Sequence, residues 1–273
     1  MIVMIFQNIK KGGIMKKSIL VLSFIFILIG CGGGNGTSNN KSAKITQSNV
    51  DDIVAAYYDS VDLDSGIGLV TGVILSTYNN SSGTHNCSNG GDYEVSKSGG
   101  TIRYKFNNCK DNNKEMNGVI VSKNNNKDIE VENFVLKDNQ TTLNYNGHIK
   151  AQSNSHQTIN IDRALWDKKG VYKIETKNSV YNINKSGNTK NTDISSLANS
   201  SKIDGWIKID TTKAIKKVSG DICPKDGRIR VRGESNYIDI QYNSDFSVDI
   251  YFNGDSSVIT SYNSCNDIPH YIN

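Results

Sequence analysis

The sequence predicts a mainly β fold: a long antiparallel meander forming a curved sheet, half-barrel or sandwich, with one or two short N-terminal helices. Three observations carry this. From about residue 91 onward, apolar and polar residues alternate with a period of two, as on strands with one buried face. Short Asn-, Lys-, Asp- and Gly-rich segments such as 98–100 and 123–127 interrupt the runs, and short connections make antiparallel neighbours the default. Helical spacing appears only before them, at Val50, Ile53, Val54 and Tyr57.

Residues 1–14 precede a second methionine, Met15. Back-translated, Lys10-Lys11-Gly12-Gly13 contains a purine-rich ribosome-binding sequence, so 1–14 reads as an untranslated leader included by an over-long gene assignment. Residues 15–30 form a signal peptide: Lys16 and Lys17, then an apolar run from Ile19 to Ile29 broken only by Ser23. That run is shorter than the roughly 20 residues a spanning helix needs. Leu28-Ile29-Gly30-Cys31 resembles the lipobox of bacterial lipoproteins, with Ile29 where a small residue is commoner. The resemblance implies cleavage between Gly30 and Cys31, acylation of the Cys31 thiol, and a membrane contact through those chains. Gly32 stands where an Asp would favour inner-membrane retention, which points to the outer membrane. Residues 31–47 read as a flexible Gly/Ser/Asn tether, and 48–273 as a single β-rich domain.

Within that domain, Ser48 or Asn49 caps the helix, and Asp51 and Asp52 complement its dipole. Residues 66–75 are apolar but broken by glycine, which fits a second helix or a buried strand. Tyr93 and Val95, then Ile102, Tyr104 and Phe106, form a hairpin around Ser98-Gly99-Gly100. Further strands fit 116–122, 128–137, 141–151, 157–166, 170–183 and 203–210. Residues 185–201 are Ser- and Asn-rich and read as a loop. The last strands place Ile229 and Val231 with Ile238, Ile240 and Tyr242, followed by Phe246, Val248, Ile250 and Phe252. Met116-Asn117-Gly118, Tyr145-Asn146-Gly147 and Ile203-Asp204-Gly205 share an apolar–Asx–Gly shape. Glycine inside a strand marks a bend or bulge, so a true repeat would curl the sheet.

Four cysteines remain after Cys31, an even number in an exported chain. Pairing Cys87 with Cys109 and Cys223 with Cys265 brackets two local strand-rich units. No Cys-x-x-Cys spacing supports zinc. Together the lipobox, Phe106-Asn107-Asn108-Cys109, Met116-Asn117-Gly118, Asp226-Gly227-Arg228-Ile229 and the strand from Val248 to Phe252 resemble a group of uncharacterised β-rich lipoproteins of Gram-negative bacteria. The resemblance implies location and fold and carries no catalytic residue.

The chain has 31 Lys and Arg against 27 Asp and Glu, a net charge of +4. Residues 1–30 hold four lysines and no acid, so the rest is charge-balanced. A neutral body argues against a nucleic-acid partner. Asn is abundant, at 35 residues, and Lys outnumbers Arg 26 to 5, a bias that an AT-rich genome explains better than sugar recognition. No G-x-S-x-G or H-E-x-x-H motif occurs, and His85, His148, His156 and His270 lack ligand spacing. His148 reads as an exposed surface histidine. Asp59, Asp62 and Asp64 hint at calcium without completing a known loop. Arg228, Arg230 and Arg232 form an alternating row that suits an anion or partner, or an ordinary pair between Arg230 and Asp239. The expectation is therefore an envelope lipoprotein, periplasmic or surface-facing, with neither catalytic residues nor cofactor nor metal. It acts as a binding or structural module for an unknown protein, glycan or lipid. The alternative is a carrier of a lipid or other hydrophobic ligand under the curved sheet.

Mass spectrometry of precursor whose cleavage is blocked tests the start site. A first peptide at Met15 is expected; one at Met1 would overturn the leader assignment.

Overall fold

The computed structural model describes residues 41–153 and 155–272. Residues 1–14, the signal peptide, Gly30, Cys31 and most of the tether lie outside the described residues. A 3-10 turn, Gln47–Asn49, leads into helix α1, Val50–Thr77. Fourteen strands follow. The first five are β1 (Gly83–Asn86), β2 (Asp92–Ser98), β3 (Thr101–Asp111), β4 (Lys114–Lys123) and β5 (Asp128–Lys137). Next come β6 (Thr141–Ala151), β7 (His156–Lys168), β8 (Tyr172–Ser186), β9 (Thr189–Ser200) and β10 (Ile207–Val218). Last are β11 (Asp226–Arg232), β12 (Tyr237–Tyr242), β13 (Val248–Phe252) and β14 (Val258–Tyr262). Each strand pairs antiparallel with its neighbours in sequence, giving one 14-stranded meander. β1 and β14 do not meet, so the sheet stays open; of the forms expected, it is a single sheet rather than a sandwich.

The glycine-broken segment 66–75 continues α1, which is one helix of 28 residues rather than the one or two short helices expected. Gly66, Gly68 and Gly72 each cost a helix about 1 kcal/mol relative to alanine. Burial of Leu63, Ile67, Thr71 and Ile74 along one face outweighs that. Gly66 is required by its neighbour: a Cβ there would lie 2.4 Å from the Tyr145 hydroxyl, which donates to the Leu63 carbonyl at 2.7 Å. Among the described residues no helix is long and apolar enough to cross a membrane.

α1 runs across the strands. Its first half, from Val50 to Tyr57, shares a core with Ile207, Ile229, Val231, Ile240 and Ile250. The second half, from Leu63 to Ile74, joins a core containing Tyr104, Phe106, Ile120, Phe134, Tyr145 and Ile174. Beneath it the strands are bulged. Asn108 and Asn133 adopt left-handed φ of 47° at register shifts in β3 and β5. The freed amides are taken by the next strand: Asn108 N donates to Asn117 Oδ1 at 2.8 Å, and Asn133 N to Asn146 Oδ1 at 3.3 Å. Gly118 and Gly147 follow those two asparagines, and a Cβ at either would strike backbone of the adjacent strand. Two of the three repeated Asx-Gly pairs are thus bulge sites, which bend a strand and raise its twist. Gly205 differs: it precedes β10 and admits the Lys41 carbonyl. Further shifts occur at Asn178 in β8 and along β10.

Two segments differ from the sequence expectation. Residues 185–201 are not a loop but the end of β8 and all of β9. The buried side of β9 is Ile194, Ser196, Ala198 and Ser200, which has no apolar alternation to detect. Its polarity is satisfied internally, with Ser196 Oγ 2.6 Å from Ser179 Oγ. Residues 41–47, expected as tether, are docked. Ala43 N donates to the Trp206 carbonyl and Trp206 N to the Lys41 carbonyl, both at 2.8 Å, and Ala43 and Ile45 are buried.

Gly118→Ala places a side chain at φ 104° and 2.4 Å from the Asn133 carbonyl. It should lower the unfolding free energy by at least about 2 kcal/mol. Gly68→Ala, where a Cβ meets open space, should instead stabilise by about 1 kcal/mol. Urea unfolding measures both, and a Gly118→Ala variant as stable as the parent would contradict the bulge argument.

Candidate functional site

Both expected disulfides are present. Cys87–Cys109 pins the loop after β1 onto β3, and Cys223–Cys265 ties the β10–β11 connection to the C-terminal segment. Their closed loops, 22 and 42 residues apart in sequence, each contribute about 2–4 kcal/mol through the unfolded state. Asp111 lies close to Cys87 and Cys109, but the two sulfurs are bonded to each other and offer no thiolate to a metal.

The arginine row faces away from α1 and is already paired. Arg230 donates from Nε and Nη2 to the two carboxylate oxygens of Asp239, each at 2.8 Å. Arg228 reaches the same carboxylate at 3.4 Å, and Arg232 pairs with Asp210. Asp239 is only 1% exposed, so the arginines cover it. Arg230 also sits 4.2 Å above the Tyr237 ring. An incoming anion would have to displace fixed carboxylates from these guanidiniums.

The acids of α1 diverge. Asp59 and Asp64 are five residues apart, about 140° around a helix, so their carboxylates face opposite ways. Asp64 turns into the sheet, where Thr176 Oγ1 and Tyr181 Oη donate to it. Burial pushes its carboxyl up to about 6; hydrogen bonds from Thr176, Ser179 and Tyr181 restrain the rise. Asp59 turns to the C-terminal segment and accepts the Tyr271 amide, with both oxygens 3.2 Å away. His270 Nδ1 lies 3.5 Å from Asp59 and 3.8 Å from Asp62. Tyr262 and Tyr271 donate their hydroxyls to Asp51 and Asp52, at 2.6 and 2.9 Å. These acids therefore hold a strap over α1 and do not converge as a calcium loop would. His148, expected to be exposed, is half-buried, with Nε2 2.6 Å from Asp128 Oδ1.

Among the described residues, two concavities bear on function. The larger, about 670 Å³, is polar and opens at the sheet end where the β3–β4, β5–β6 and β7–β8 turns meet the Cys87 loop. Lys110, Lys114, Lys137 and Lys169 contribute to it, together with Asn113 and Gln140. A smaller cleft of about 300 Å³ runs beside Gly68 and Gly72 of α1 and is floored by Leu75, Ile129 and Ile149. Sequence reasoning missed both. The groove draws single residues from turns up to about 80 positions apart, and only the pairing order of the strands assembles them.

Comparison with family models, with curated proteins and with solved structures found no match.

Asp64 binds its proton more tightly in the folded chain than its ordinary value of 3.8 allows when unfolded. This contribution therefore falls as pH rises from about 4 to 6, by a total of about 3 kcal/mol. Asp64→Asn removes it. Plotted against pH, the stability difference between parent and variant should move in favour of the variant across that window. Parallel urea midpoints from pH 4 to 7 would show that Asp64 is not the titrating group.

Proposed function

We propose that the chain is a lipid-anchored lipoprotein of the cell envelope, held at the outer membrane by acyl chains on Cys31, and that its β domain is a non-enzymatic binding or structural module. The observation that carries the module reading is the placement of α1. It fills the apolar face of the sheet in two continuous cores, so the domain offers partners its outer surface. The larger concavity there is lined by lysine, asparagine, glutamine and carboxylate side chains, which suit polar recognition. Two disulfides fit an exported compartment. From Lys41 onward the described chain is docked on the sheet. Two or more acyl chains give stable anchoring where one would be marginal.

One observation favours the second reading, carriage of a lipid or other hydrophobic ligand. The cleft beside Gly68 and Gly72 is partly apolar, and Leu69 and Val73 stand exposed near it, at 39% and 58%.

Intact mass of the protein extracted from membranes in detergent tests the anchor. The mature chain should begin at Cys31 and carry two or more acyl chains, and Cys31→Ser should abolish incorporation of labelled fatty acid. A mature chain without acyl groups sinks the anchoring. In native mass spectrometry of the same sample, noncovalently bound lipid that survives detergent exchange would favour the carrier over the module.

A further inference from the structure

We propose that the polar groove at the turn end of the sheet is a binding site for an acidic oligosaccharide. The inference deepens the binding-module reading and does not depend on the lipid anchor.

The groove is built before any ligand arrives. The Cys87–Cys109 disulfide holds one wall, reinforced by Asn89 N donating to the Lys110 carbonyl at 2.9 Å and Lys110 N to the Gly90 carbonyl at 2.8 Å. Lys169 N donates to the Gln140 carbonyl at 2.9 Å, which ties the β7–β8 turn to the β5–β6 turn. Asp138 Oδ1 accepts the amides of Gln140 and Thr141, at 2.8 and 2.7 Å, and stiffens that second turn. Ordered walls reduce the entropy that a ligand must overcome on binding.

Its charge is left open. Lys110 and Lys137 flank Glu115 in the strand register, the arrangement expected to form cross-strand pairs. Glu115 instead accepts from Asn117 Nδ2 at 3.3 Å, and Asp138 is committed to its own turn. Among the described residues, Lys110, Lys114, Lys137 and Lys169 have no carboxylate within ion-pair distance. Asp167 is the one further acid in the lining. In the arginine row the same sheet closes its cations off, as Asp239 does for Arg228 and Arg230. Four lysine ammonium groups against the carboxylates of Glu115, Asp138 and Asp167 leave the lining one positive charge in excess, which favours an anionic ligand. The rest of the lining names the scaffold of that anion. Asn89, Asn113, Asn139 and Gln140 present amides that donate and accept together, as sugar hydroxyls do, and no aromatic or aliphatic side chain is there to seat a peptide or an acyl chain.

Isothermal titration calorimetry on the full-length protein in detergent tests this with three probes: tetragalacturonate, a phosphorylated tetramannoside and neutral maltotetraose. At least one acidic probe should bind, with affinity that falls as salt rises. Which of them binds distinguishes carboxylate from phosphate as the recognised group. The double variant Lys137→Gln/Lys169→Gln should weaken that binding roughly tenfold. Lys105→Gln/Lys150→Gln removes the same charge at exposed positions outside the groove and should leave binding unchanged. Silence from both acidic probes, equal binding of maltotetraose, or equal loss in the two double variants overturns the proposal. None of these outcomes bears on acylation of Cys31, so the groove and the anchor fail separately.

Discussion

Tyr145 reaches past Gly66 to donate its hydroxyl to the Leu63 carbonyl, and that contact needs a long helix pressed against a bent sheet. Fourteen strands spaced about 4.8 Å apart would span roughly 60 Å if flat, while a 28-residue helix covers about 42 Å. Bulges, which bend strands and raise their twist, lie in that sheet. Asn108, Asn133 and Asn178 break the ladder beneath α1, and the Asn117 and Asn146 side chains take up the amides that two of the breaks release. Each bulge adds twist, and a run of them across neighbouring strands curls the sheet toward the element it packs on. The two hydrophobic cores lie along opposite halves of one helix, so the helix joins strands that share no direct pairing.

The outer side of α1 is covered by the end of the chain. Residues from Val54 to Tyr57 are buried on every side of the helix, which a sheet on one face alone would not achieve. Ile268 supplies the apolar part of that cover, and the carboxylates of Asp51, Asp52 and Asp59 receive donors from Tyr262 and Tyr271. Cys223–Cys265 then fastens the strap to the β10–β11 connection. Charged groups on a buried helix are costly unless paired or hydrogen-bonded, and each of these acids has a donor from a segment distant in sequence.

Charge is treated differently on two parts of the same surface. Across β10, β11 and β12 the arginines and aspartates neutralise one another at short range, and Tyr237 and Tyr251 cover the guanidinium faces. At the turn end of β3 to β8, Lys110, Lys114, Lys137 and Lys169 stand without such partners among the described residues. Arginine's planar fork suits fixed bidentate pairing, whereas lysine is a mobile point charge that remains available to a ligand. The arginine row, conspicuous in the sequence, is therefore the poorer candidate for an anion. The better one lies among scattered turn lysines that look like solvated punctuation.

What the sequence determined by itself is the local pattern and the covalent framework. Alternation marked β2, β3, β11, β12 and β13 because one face of each is apolar and the other polar. Bracketing cysteines marked both staples, and the Asn-Gly pairs at 117–118 and 146–147 marked two bends. Tertiary structure decided the rest. Residues 66–75 became helix because Tyr145 and the second core hold them, which no local propensity of three glycines predicts. β9 became a strand because Ser179 and Ser196 satisfy each other in the interior, a pairing visible only after β8 and β9 are in register. The groove exists because consecutive hairpins bring their turns to one end of the sheet. A linear sequence records turn residues one at a time, and their convergence is a property of strand order and bulge geometry.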